Sequence, residues 1–135
     1  MKFFKYMLAS AAVGLTLAGA ASAQTYPERV VKLVVPYTPA GATDIIGRLL
    51  AEKLAEQLGQ PFIVENRPGA AGMSGSDAVA KATPDGYTLL VGSIANTIFP
   101  ATKKSVPYDL EKDLVPLCQV VSVPNFLVEI GRAHV

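Results

Sequence analysis

The sequence predicts an α/β fold built on a parallel sheet, and three observations predict it. Residues 30–35 form a nearly unbroken β-branched run, which suits a strand buried on both faces. An apolar pattern at helical spacing follows it. Strand-like and helix-like stretches then alternate in the order β-α-β-α-β, which closes a parallel sheet through right-handed crossovers. Composition agrees with a small globular unit: 135 residues, 50% hydrophobic, 17% charged and 7% aromatic. Such a chain buries too much apolar surface to be a disordered tail. Lys+Arg is 12 against 11 for Asp+Glu, a net charge of +1, so no basic excess points to nucleic acid. A single cysteine, Cys118, excludes an intramolecular disulfide and a four-thiolate zinc site. No metal or cofactor is expected. The only histidine, His134, stands beside the C-terminus, which speaks against a buried His-based catalytic dyad.

Residues 1–23 read as a cleavable export signal. Lys2 and Lys5 supply the positive start, Met7 to Ala20 carries no charge, and Ala21-Ser22-Ala23 is the small-x-small pattern before Gln24. The apolar run is about 14 residues and rich in Ala, Gly, Ser and Thr, short of the roughly 20 needed to span a bilayer. Losing Lys2 and Lys5 leaves 10 of the 12 basic residues against 11 acidic ones, a nearly neutral exported protein. The mature chain then opens on the 30–35 strand, which Pro36 ends. Thr43 or Asp44 is expected to cap a helix whose apolar face is Ile45, Ile46, Leu49, Leu50, Leu54 and Leu58. Gly59 stops that helix and Pro61 prevents its resumption. Residues 62–64 make a second strand, 66–75 a Gly-rich loop, and 77–82 a weak helix. Pro84-Asp85-Gly86 is a turn before a third strand at 87–91. Residues 92–113 look irregular, and 115–121 and 126–128 are further strand candidates, with Cys118 as a small buried side chain.

The most informative loop is Pro36-Tyr37-Thr38-Pro39-Ala40-Gly41-Ala42-Thr43-Asp44, between the first strand and the first helix. Ligands of open α/β sheets bind at such carboxyl ends. A helix start offers unpaired N–H groups and a partial positive charge of roughly half a unit, which attracts anions. The loop holds no Lys, Arg or His. An anion there would rest on backbone N–H groups, the Thr38 and Thr43 hydroxyls, and water. A plain strand-to-helix connection is the competing reading. Ser93, Asn96 and Thr97 follow the third strand and are candidates for the same crevice. The second loop, 66–75, matches G-x-x-G-x-x-G and not the dinucleotide fingerprint, lacks a Lys-Ser/Thr ending, and has Ser76 where a nucleophile elbow needs glycine. It reads as a turn whose glycines allow positive φ.

Together these pieces carry a resemblance. Tyr26-Pro27, the 30–35 strand, the 36–44 loop, Leu58-Gly59-Gln60-Pro61, Val64-Glu65-Asn66-Arg67-Pro68-Gly69-Ala70 and Pro84-Asp85-Gly86-Tyr87-Thr88-Leu89-Leu90 occur in this order. Val106-Pro107-Tyr108-Asp109 and Ser122-Val123-Pro124-Asn125 follow. The set resembles the Bug-type periplasmic substrate-binding proteins of tripartite tricarboxylate transporters. The resemblance implies two α/β lobes around a cleft, of which residues 24–128 are the first lobe and the start of the crossover to the second. It implies a small carboxylate ligand, a membrane permease as partner, a periplasmic monomer and no enzymatic activity. It implies contact with the ligand carboxylate from the first loop, partly through ordered waters, so the expected binding residues are Tyr37, Thr38, Pro39, Ala40, Gly41, Thr43, Asp44, Ser93, Asn96 and Thr97. The family often has Gly-Gly where this chain has Ala40-Gly41, so Ala40 adds a methyl group near the expected ligand. Residues 129–135 break the family pattern and are expected to be a non-native tail, encodable by the start of a common sequencing adapter. A small exported α/β enzyme or nucleotide-binding domain is the alternative class, separated by the lack of a nucleophile and base constellation.

Overall fold

The computed structural model describes residues 25–124; the leader at 1–23, the 126–128 strand candidate and the 129–135 tail lie outside them. Strand β1 spans Val31–Val35, helix α1 Ala42–Leu58, strand β2 Phe62–Asn66, helix α2 Met73–Ala80, strand β3 Thr88–Leu90 and helix α3 Ile94–Thr102. A one-turn 3-10 segment at Ala70–Gly72 leads into α2. The sheet order is β2-β1-β3 and both pairings are parallel, as the alternating pattern requires. Leu33 sits level with Val64 on one side and Leu89 on the other.

Alternation along β1 separates two faces. Val31 and Leu33, with Phe62 of β2, pack under Leu50, Ala51, Leu54 and Ala55 of α1. Val34 is buried on the opposite face, where α2 rests against β1 and β3. Complete burial of Val31, Leu33 and Val35 explains why the run has little polar alternation. The expected α1 face is right in part: Leu50 and Leu54 do pack on the sheet. Ile45 and Leu49 are exposed, as is Leu58, whereas Gly47 and Ala51 are buried. A β-carbon at Gly47 would lie 3.0 Å from a Val35 methyl, so the smallest side chains mark the line of closest helix–sheet approach. The apolar residues at helical spacing straddle that line, with Leu50 and Leu54 on it and Ile45 and Leu49 off it.

Other boundaries moved for equally local reasons. The N-cap of α1 is Gly41, which caps without a side-chain bond, so neither Thr43 nor Asp44 is the cap. Gly59 does end the helix, in the left-handed conformation at φ 69°. Val30 is exposed and precedes β1. Helix α2 begins at Met73 and not near residue 77, because its glycines fit the packing. At Gly75 a β-carbon would stand 2.7–2.8 Å from Pro36 and the Arg67 carbonyl. The region read as irregular contains α3, started by a Ser93–Asn96 capping box and running through Pro100. The 115–121 strand candidate forms no strand: Val115 and Leu117 are 82% and 73% exposed, and Cys118 is exposed as well. β-branched composition supplies a pleated surface only when a partner strand is there to pair with it, and none is among the described residues.

Candidate carboxylate-binding site

The three strands run parallel, so the loops that leave their carboxyl ends meet on one edge of the sheet. Tyr37 is the meeting point. Pro36, fully buried, delivers it from β1. Its ring lies against Gly72 from the loop after β2, where a β-carbon would be 3.1–3.2 Å from three ring-end atoms. Gly72 itself takes φ 102°, a conformation that a side chain rarely adopts. The Tyr37 hydroxyl pairs with the Ser93 hydroxyl at 2.5 Å, from the loop after β3. Side chains from two loops and the backbone of the third thus meet at Tyr37.

Beneath that contact lies Asn96, 3% exposed. Its amide donates to Ser76 Oγ at 2.6 Å, and its carbonyl accepts from Ser93 N–H at 2.9 Å. Ser76 Oγ in turn donates to the Gly72 carbonyl at 2.9 Å. Asn96 therefore bolts the start of α3 to α2, and its polar atoms are engaged within the protein. Thr97 is exposed and donates to the Ile94 carbonyl at 2.8 Å. It lines a separate open depression with Pro100, Lys103 and Tyr108, away from Tyr37.

The first loop closes onto the start of α1. Thr38, Pro39 and Ala40 form its exposed rim, with Gly41 and Thr43 half-buried at the helix start. Ala40 is held at φ 66° and donates its N–H to Asp44 Oδ2 at 2.9 Å. The first-turn N–H groups of α1 have no intrahelical acceptors, and Gly41 supplies no side-chain cap to take one of them. Asp44, 2% exposed, sits below them. Arg48 Nε donates to its Oδ2 at 2.9 Å and Asn66 Nδ2 to its Oδ1 at 2.8 Å. The Arg48 bond first, then those from Asn66 and Ala40, lower the Asp44 pKa to about 2. Tyr37 and Ser93 are thus brought together, the 38–43 stretch forms the wall, and Asp44 and Asn96 lie under the surface. Arg48, Asn66, Gly72 and Ser76 were missed. The signal for Asn66 is register: it stands level with Val35, at the root of the first loop, once β2 is known to flank β1.

A chain of this build has relatives. The model of the tripartite tricarboxylate transporter family receptor, TctC, matches residues 46–133. The chain belongs to this family. Protein BugT of Bordetella pertussis is 45% identical over 114 residues, covering 83% of this chain and 35% of BugT. MatC of Rhodopseudomonas palustris, solved with bound malate, is 39% identical with a TM-score of 0.62, over 65% of this chain and 30% of MatC. Rpa4515 of R. palustris, solved with adipate, is 40% identical with a TM-score of 0.56, over 62% of this chain and 28% of that protein. The chain spans about a third of the length of the relatives it matches. Of the two classes left open by the sequence, the TctC family is of the receptor kind, and its solved members share the α/β fold with a parallel sheet.

Proposed function

We propose that this TctC-family chain is the carboxylate-gripping part of a periplasmic solute receptor that hands a small carboxylate to its membrane permease. The observation that carries the reading is the cation-free start of α1, uncapped by any side chain and walled by Tyr37 and Ser93 from converging loops. Malate and adipate held by the two relatives above are the matching ligand chemistry. Backbone N–H groups and the Thr38 and Thr43 hydroxyls bind a carboxylate as dipoles, without a fixed cation, and Tyr37 covers an apolar part of the solute. Export follows from the leader pattern at residues 1–23, with the mature protein beginning at Gln24 and acting as a monomer without catalysis.

Calorimetry on the full-length protein, with malate, adipate, citrate and a nucleotide as arms, tests this. Carboxylate binding without nucleotide binding is the expected result. Thr38→Val and Thr43→Val should each weaken it roughly 10-fold, since a hydrogen bond to a charged group is worth about 1.5–3 kcal/mol. Lys103→Ala, at an exposed site after α3, should change nothing. Unaltered binding in both threonine variants would move the site off this loop.

A further inference from the structure

An anion site at the start of α1 has a negative charge built into it. Asp44 is the third residue of that helix, so its carboxylate lies beside the N–H groups that would hold a ligand carboxylate. Left uncompensated in a poorly solvated position, it would repel the ligand. We propose that Arg48 and Asn66, neither of them in the binding loop, are positioning residues for the anion site, tying up the Asp44 carboxylate so that the helix start presents only donors. The inference rests on the carboxylate-receptor reading and adds to it the residues that make the loop competent.

Geometry supports it from both ends of the loop. Arg48, Asp44 and Asn66 close a triangle: Arg48 Nε reaches Asp44 at 2.9 Å, Asn66 Nδ2 reaches Asp44 at 2.8 Å, and the second Arg48 nitrogen reaches Asn66 Oδ1 at 3.0 Å. The same Asn66 amide donates to the Tyr37 carbonyl at 3.2 Å, at the loop's beginning. Asp44 takes the Ala40 N–H near the loop's end. Both carboxylate oxygens are thereby occupied inside the protein, and none is offered to a ligand. From its own helix Asp44 faces Arg48, and from β2 it faces the neutral Asn66, while the neighbouring Glu65 and Arg67 pair with each other at 2.6 Å. Its low pKa accords with a fully compensated charge. Arg48 Nε and one terminal nitrogen are spent on Asp44 and Asn66, so it acts through Asp44.

The test uses the full-length protein with malate and adipate as probes, each variant read as a ratio to the wild type at the same pH so that ligand protonation cancels. Arg48→Gln should bind roughly 10- to 100-fold more weakly at pH 7.5, because Asp44 keeps its charge and loses its counter-charge. That deficit should persist down to pH 5, because the Asn66 and Ala40 bonds still favour the ionised Asp44 carboxyl when Arg48 is gone. The double variant Asp44→Asn/Arg48→Gln should recover most of the affinity at pH 7.5, and Arg48→Lys should lose little. Should Arg48→Gln fail to fold, the double variant and Arg48→Lys still decide the matter. A loss with no recovery in the double variant, or no loss at all, overturns the inference while leaving the receptor reading intact. A wild-type protein that binds neither probe overturns the receptor reading and this inference with it.

Discussion

Ala40 is the residue where this chain carries visible strain for its loop. A non-glycine at φ 66° crowds its β-carbon against the backbone, at a cost of about 1 kcal/mol. The hydrogen bond from its N–H to Asp44, itself held by Arg48 and Asn66, keeps it there. Strain of this kind persists where the surroundings over-determine a conformation, as these bonds do at the end of the first loop. Ala40→Gly should therefore raise stability, by about 0.5 kcal/mol once the greater freedom of glycine in the unfolded chain is counted. Thermal unfolding of the full-length protein reads this as a small rise in Tm. A fall would mean that the Ala40 methyl makes contacts that outweigh the strain.

At the scale of elements, small residues decide how near the helices come to the sheet. Gly47 lets α1 settle on Val35, and Gly75 lets α2 settle against Pro36 and the Arg67 carbonyl. At Gly75 the neighbours are backbone and a proline ring, which do not swing aside. Gly75→Ala should then cost about 1–3 kcal/mol through overpacking. It should also loosen the proposed site, because α2 carries Ser76, the partner of Asn96 under the Tyr37–Ser93 contact. Gly41→Ala is the contrast: its new methyl would meet only the Thr38 carbonyl at 3.6 Å, an ordinary contact. Urea unfolding of the two variants should show a clear drop in midpoint for the first and little change for the second.

For the molecule as a whole, the length of chain matters as much as the loop. This sequence spans about a third of its relatives, and Thr38, Pro39 and Ala40 of the proposed wall are exposed. A ligand held on one wall stays in water, where each polar contact competes with solvent; enclosure removes that competition. Losing two or three charge-assisted hydrogen bonds, at about 1.5–3 kcal/mol each, weakens binding by several orders of magnitude. The 135-residue chain should accordingly bind malate or adipate far more weakly than the full-length protein, or not detectably. Calorimetry on both, at equal concentration, checks it; equal affinities would show that one wall suffices.

What the sequence determined alone is whatever depends on near neighbours. A β-branched run made β1, Gly59 and Pro61 closed α1, and the Gly-rich stretch after β2 supplied positive-φ turns at Gly69 and Gly72. The cation-free loop at a helix start was legible too, because a strand, a loop and a helix in succession suffice to place it. Even the missed α3 was written locally, in Ser93 three residues before Asn96, but Pro100 masked it. The rest needed the third dimension. That Asn66 clamps Asp44 follows from β2 lying beside β1, a pairing between residues far apart in the chain. That Asn96 is consumed by Ser76 while Tyr37 meets Ser93 depends on three loops converging from one sheet edge. Propensity and periodicity act over a few residues, whereas burial and hydrogen-bond satisfaction are settled by whichever distant groups the fold brings within about 3 Å. The same physics exposed Ile45 and Leu49 and buried Gly47 and Ala51: hydrophobicity marks a helix as amphipathic, but only the sheet it lies on selects the face.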